Sequence, residues 1–226
     1  LGWNQKGREK MKIILEAIVG STAYGLSNEN SDIDKIGIYV APTKDILSLH
    51  KPKETIVYNK PDITYHEVEK YVRLAMNCNP TILELLFMDK YEIITEEGQM
   101  LIDIRKAFLN TTIYNSYGGY AIQQARKLNR RGHSFDSSVK NRHEKHARHC
   151  FRLLIQGTQL LKEHNLSVRV LDPRAIMDFG ELDVEEMVNR FEEEYKIFRA
   201  IQTNLPKEPD YKTINNVLLK IREINV

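Results

Sequence analysis

Cysteine is scarce in this chain. Only Cys78 and Cys150 occur among 226 residues, far apart and in no C-x-x-C pair. That excludes a disulfide scaffold and a dithiol redox motif, and it suits a reduced, cytoplasmic setting. No apolar run approaches the ~20 residues that a membrane span needs, and no secretory signal is visible. No membrane partner is therefore expected. An excess of one charge is missing too. The net charge is only +2, so global charge does not announce a nucleic-acid binder. There is no internal repeat and no low-complexity tract. The zinc-protease pattern His-Glu-x-x-His is absent: in His143-Glu144-Lys145-His146 the required position is Ala147, so no zinc site is read there.

What remains is an ordinary globular composition, 42% hydrophobic and 28% charged, long enough for one large domain or two small ones. Met11 opens the first apolar run and makes a sensible native start, which leaves residues 1–10 as either an expression remnant or an extension. Short apolar or alternating runs predict strands at Ile13–Val19, Ile33–Val40, Lys53–Tyr58, Asp62–Tyr65 and Tyr91–Thr95, each bounded by glycine, proline or polar turns. Helical spacing predicts short helices at Lys44–Leu49, Glu67–Met76 and Thr81–Met88, then long ones at Glu97–Leu109, Ser116–Asn129, Val139–His164, Val184–Thr203 and Thr213–Glu223. Asn165–Glu181, with Pro173 and Gly180, reads as irregular. Strands with interleaved helices, then helices alone, imply an α+β mixed-sheet domain over 11–110 and an all-α domain over 111–226.

The chemistry concentrates in one stretch, IVGSTAYGLSNENSDIDKIGIYV. Gly20-Ser21 ends a strand in a tight turn and presents a hydroxyl. Asp32 and Asp34 follow with one residue between them. On a strand, residues i and i+2 face the same side, so both carboxylates are expected to aim at one spot. Two such charges repel unless a cation lies between them. Mg²⁺, held by one or two carboxylates and completed by phosphates and water, is the obvious candidate. The turn's N–H groups suit those phosphates.

This stretch resembles the signature of the DNA polymerase beta-like nucleotidyltransferase superfamily, in the form found in its minimal bacterial, archaeal and phage members. Two further stretches, DITYHEVEKYVRLAMNCNPTILELLF at 62–87 and KHARHCFRLL at 145–154, are similar to members associated with RNA ligases. The resemblance implies a polymerase-beta-like catalytic lobe that transfers a nucleoside monophosphate from an NTP to an acceptor hydroxyl and releases pyrophosphate. It implies two Mg²⁺ ions, with Mn²⁺ as a substitute, held by Asp32, Asp34 and a third carboxylate. Asp62 matches that third position, with Glu54 and Glu67 as rivals. It implies nucleotide binding by Gly20 and Ser21. The acceptor it suggests first is an RNA end. AMP transfer onto a partner protein, as in antitoxins of this fold, comes second, and a small molecule third. A non-catalytic nucleotide- or RNA-binding module is the reading from another class.

Basic residues cluster between Arg126 and Arg152. On one helix, Arg142, Lys145, His149 and Arg152 stand three, four and three apart and share a face. Such a stripe suits phosphates. Lys145, His149 and Arg152 are taken as nucleotide contacts, and Arg130, Arg131, Lys140 and Arg142 as nucleic-acid contacts. The NTP is expected in a cleft between the two domains. Glu84, a charge inside an apolar helix, is expected to pair with Lys145 or Arg152 or else to lie on an exposed face. Phe191, Tyr195 and Phe198 recur at helical spacing and read as core rather than as a base-stacking platform.

Overall fold

A computed structural model describes residues 11–29, 31–129 and 137–225, with side chains of 128–129 and 137–143 left undescribed. Five strands form one mixed sheet: β1 (Lys12–Val19), β2 (Asp34–Val40), β3 (Thr55–Asn59), β4 (Asp62–Glu67) and β5 (Ile93–Ile94). Their order is β3-β4-β2-β1-β5. β1 runs antiparallel to β2 and β5, and β3 antiparallel to β4. The β2–β4 pair is parallel. Because that pair is parallel, both strands begin at the same end of the sheet.

Short helices fill the connections: α1 (Gly20–Tyr24), α2 (Thr43–Leu47), α3 (Val68–Met76), α4 (Pro80–Glu84, continued by a 3-10 turn) and α5 (Glu96–Asp103). The apolar stripe of α3 (Val68, Tyr71, Val72 and Ala75) is fully or nearly fully buried. That is the helical period read in the sequence, turned onto the sheet.

The chain divides into two compact units. The first holds the sheet, α1–α5 and also α10 (Tyr211–Ile224). This corrects the expected boundary, which placed everything from 111 to 226 in the helical domain. The physical reason is a buried clamp. Both guanidinium nitrogens of Arg222 on α10 donate to Glu67 on β4, at 2.7 and 2.9 Å. The Thr43 hydroxyl and N–H donate to the carbonyls of Arg222 and Asn225.

The second unit contains α6 (Ile113–Asn129), α7 (Ser137–Glu163), α8 (Pro173–Glu181) and α9 (Val184–Ala200). Phe198 of α9 is wholly buried. Its ring lies so close to Gly157 of α7 that a Cβ there would stand 2.8 Å from it. Phe191 is also buried, so these aromatics are core. Helix α8 lies where an irregular stretch is expected. Asp172 caps it, accepting from the N–H groups of Arg174 and Ala175, and Pro173 occupies its first turn. That is a helix-start pattern, and proline is tolerated there because its missing N–H would have had no helical acceptor. Among the described residues, no helix is long and apolar enough to cross a membrane.

Candidate active site

β1 ends at Val19, paired with Asp34 at the start of β2, and Asp34 in turn is paired with Asp62 at the start of β4. Neighbouring strands lie about 4.8 Å apart. Residues in register share a face, so Asp34 and Asp62 leave the sheet side by side at one end. Gly20 follows Val19 directly. Its φ is +70°, and a Cβ on it would stand 2.9 Å from Oδ2 of Asp34. Both facts demand glycine: L side chains are strained at that φ, and the space belongs to the carboxylate. Helix α1 then closes on Gly25, whose N–H reaches the Thr22 carbonyl at 3.2 Å. Ser21 is half-buried in this turn.

Asp32 is placed differently from expectation. The strand begins at Asp34 rather than at Ile33, so the alternation argument does not reach Asp32. It lies exposed in the preceding loop. A tight turn leads into it, in which the Asn28 N–H donates to Ser31 Oγ at 2.9 Å and the Ser31 N–H to the Asn28 carbonyl at 3.0 Å.

The rivals of Asp62 are elsewhere. Glu67 is five residues along β4, about 16 Å at 3.3 Å per residue. It is only 3% exposed, is gripped by Arg222, and caps α3 by accepting from the Glu69 N–H at 2.9 Å. Glu54 pairs with Arg73 and, at 3.4 Å, with Lys70. Lys35 is next to Asp34 in sequence but must face the opposite side of the sheet. There it pairs with Glu92 and, at 3.7 Å, with the buried Glu16, which also accepts from the Tyr65 hydroxyl. The nearest cation in sequence is thus engaged on the other face.

The Asp34–Asp62 pair offers oxygen-only donors in shared register, the donor chemistry that a hard divalent cation takes. Among the described residues, no group of three or more His, Cys, Asp or Glu side chains is arranged to hold a metal ion.

Sequence reasoning missed the support behind the glycine turn. Glu84 is 1% exposed and accepts a 2.8 Å hydrogen bond from the Tyr24 hydroxyl. It therefore does not lie on an exposed face, and it ties α4 to α1. A buried acid in an apolar helix was the available signal, but the Tyr24 hydroxyl it accepts from is sixty residues away.

In the helical unit, the stripe on α7 passes from exposed Lys145 through half-buried His149 to buried Arg152. Arg152 donates to Gln156, one turn further on. Burial pushes the His149 imidazole down to about 3, and Arg152, His146, Lys127 and Lys145 add to the effect. His149 is thus a neutral hydrogen-bonding group in a positive field. Arg130 and Arg131 lie outside the described residues, as do the side chains of Lys140 and Arg142.

Comparison with known proteins bears on this geometry. Residues 4–189 match the model of a family described as the RNA repair pathway DNA polymerase beta family. The chain is 29% identical, over 136 residues, to an uncharacterized 38.9 kDa protein of the nrdC-mobD intergenic region of Enterobacteria phage T4; the match covers 54% of this chain and 40% of that protein. It is 32% identical, over 95 residues, to the uncharacterized protein YcgL of Bacillus subtilis (strain 168), covering 40% and 36% of the two. These matches span about two-fifths of the length of either relative. A crystal structure of a nucleotidyltransferase-like protein from Exiguobacterium sibiricum 255-15 aligns with 99% of this chain and 78% of its own, at 10% identity and a TM-score of 0.36.

Proposed function

The chain belongs to the RNA repair pathway DNA polymerase beta family, and on that premise we propose that it transfers a nucleoside monophosphate from an NTP to the hydroxyl of an RNA end. The observation that carries the reading is the pair Asp34–Asp62, in register at one end of the sheet beside a glycine whose Cβ would crowd Asp34. Like charges placed opposite one another cost stability, and a protein keeps such a pair where the charge is used.

Asp32, Asp34 and Asp62 would hold the divalent cations. Held there, such cations would supply charge neutralisation for the attacking and the leaving oxygen of an in-line displacement. The chain's own groups do the rest. Ser21 donates its hydroxyl to a triphosphate oxygen, and Gly20 keeps the turn's backbone close to it. Asp62 orients the acceptor hydroxyl and takes its proton. The acceptor oxygen then bonds to the α-phosphorus, the bond from that phosphorus to the bridging oxygen breaks, and pyrophosphate leaves with the electron pair. Lys145, His149 and Arg152 draw phosphate groups to the helical unit. Arg130, Arg131, Lys140 and Arg142 extend the basic surface along an RNA backbone.

The test offers the protein each labelled NTP with Mg²⁺ and, separately, RNA oligonucleotides with free hydroxyl ends or a pool of proteins. Label transferred to RNA, with pyrophosphate released one for one, is the expected result. Label on protein alone would replace the RNA acceptor with a protein one. RNA binding should also weaken steeply with added salt.

A further inference from the structure

Helix α1 carries Ser21 and has little of its own to hold it in place. It is five residues long, far below the ~12–15 at which an isolated helix becomes even marginally stable. None of its residues is fully buried, and no side chain caps its start. Its first residue is fixed by the end of β1, where Val19 pairs with Asp34. At its other end the closing hydrogen bonds are internal: the Gly25 N–H donates to the Thr22 carbonyl at 3.2 Å and the Leu26 N–H to the Ser21 carbonyl at 2.9 Å. They shape the turn without tying it to the rest of the sheet unit. The half-buried Tyr24, last residue of α1, makes such a tie by donating its hydroxyl to the Glu84 carboxylate at 2.8 Å.

Glu84 is firmly set. It is 1% exposed and ends α4 between Leu83 and Leu85, neither of which has exposed surface. The backbone on both sides of it is gripped by tyrosines. Tyr71 of α3, wholly buried, donates to the Ile82 carbonyl at 2.8 Å, and Tyr91 donates to the Leu85 carbonyl at 3.0 Å. Three tyrosine hydroxyls thus converge on one short segment, two on its backbone and one on its acid. A buried acid depends on protein donors in place of water, so the Tyr24 contact is not freely exchanged for solvent. Tyrosine has only two side-chain torsions, so holding the far end of its ring restrains the backbone that bears it.

We propose that Tyr24 and Glu84 are positioning residues of the transfer site. The core holds Glu84, Glu84 holds Tyr24, and Tyr24 sets where α1 presents the Ser21 hydroxyl to the triphosphate. Tyr24 follows Ser21 by three residues, about one helical turn, so a displacement of the tyrosine passes directly to the serine. A misplacement of about 1 Å at a reacting site can cost about 10²-fold. The proposal rests on the nucleotidyl-transfer reading for what Ser21 binds; all the residues it joins lie within the sheet unit.

The test is steady-state transfer by the full chain with labelled NTP, Mg²⁺ and RNA, together with amide hydrogen exchange at Gly25 and Leu26. Tyr24→Phe keeps the ring and removes only the hydroxyl. Its KM for the NTP should rise by roughly 10–100-fold, with the KM for RNA unchanged and both amides exchanging faster. Glu84→Ala should match it, and Glu84→Gln, which keeps an acceptor for Tyr24, should restore the NTP KM towards the wild-type value. The effects of Tyr24→Phe and Ser21→Ala on the NTP KM should not add, because one acts through the other. A merely structural role gives a different pattern: kcat falls as active protein is lost, both KM values stay, and the two substitutions add. That pattern overturns the proposal, as does a Tyr24→Phe variant with wild-type kinetics or with unchanged exchange. Absence of transfer by the wild type would instead fail the nucleotidyl-transfer reading, and exchange at Gly25 and Leu26 would still decide whether Tyr24 holds α1.

Discussion

The two ends of β4 hold a carboxylate each and treat it in opposite ways. At the far end Glu67 is buried, takes two hydrogen bonds from Arg222 and caps α3. At the near end Asp62 is exposed and set in register with a second aspartate. Glu67 is matched by the groups around it, whereas Asp62, at the close of the Lys60-Pro61 turn, stands beside a like charge. The difference separates a residue that holds the architecture from one to which the proposed function gives a ligand. His149 repeats the second case with the sign reversed, a basic group set among cations.

The comparison breaks first at Glu67. Glu67→Ala leaves Arg222 without its bidentate partner and frees the capped N–H of Glu69. A loss of about 3–5 kcal/mol is expected, measured by denaturant unfolding. The double variant Glu67→Leu with Arg222→Met should recover much of it, because an apolar pair of similar volume removes the buried charge. If Glu67→Ala proves neutral, the clamp does not hold α10 on the sheet.

Gly20→Ala comes next. The positive φ costs about 1–2 kcal/mol for an L side chain, and the new Cβ meets the Asp34 carboxylate. Unfolding should show that loss, and transfer should fall with it. An alanine variant of unchanged stability would mean that the turn can relax away from Asp34.

The pH dependence sharpens the comparison in the helical unit. The folded pKa of His149 lies near 3, below the roughly 6.5 of an unfolded histidine. The folded state therefore binds fewer protons. Its contribution is complete above about pH 6.5 and is lost as pH falls towards 3, at no more than about 1.4 kcal/mol per pH unit. His149→Gln should flatten that slope in urea titrations at pH 4–7. A phosphate ligand should raise the His149 pKa, seen as a shift of its imidazole resonance on adding pyrophosphate.

The smallest expected effect is the most telling one. Asp62→Asn removes a like charge and should raise stability by about 0.2–1 kcal/mol. A destabilised variant would make Asp62 a structural carboxylate like Glu67.

The sequence made this contrast partly legible. Apolar runs located the five strands among the described residues, and the Gly-Ser and Asp-x-Asp spacing drew attention to the start of β2. Register was beyond it. That Asp62 stands opposite Asp34, while Glu67 is clamped at the far end, depends on a parallel pairing that no local pattern encodes. The Arg222–Glu67 pair spans 155 residues, so α10 read as part of the helical half. Helix α8 was missed because Pro173 was weighed as a breaker without the Asp172 cap before it.

The most direct test compares nucleotidyl transfer by the wild type, Asp34→Asn and Asp62→Asn, each with saturating NTP, RNA and Mg²⁺, alongside their unfolding curves. The account predicts that transfer falls by about 10²–10³-fold or more in both variants, while stability is unchanged or slightly higher. Transfer that persists at wild-type rate in both would contradict it.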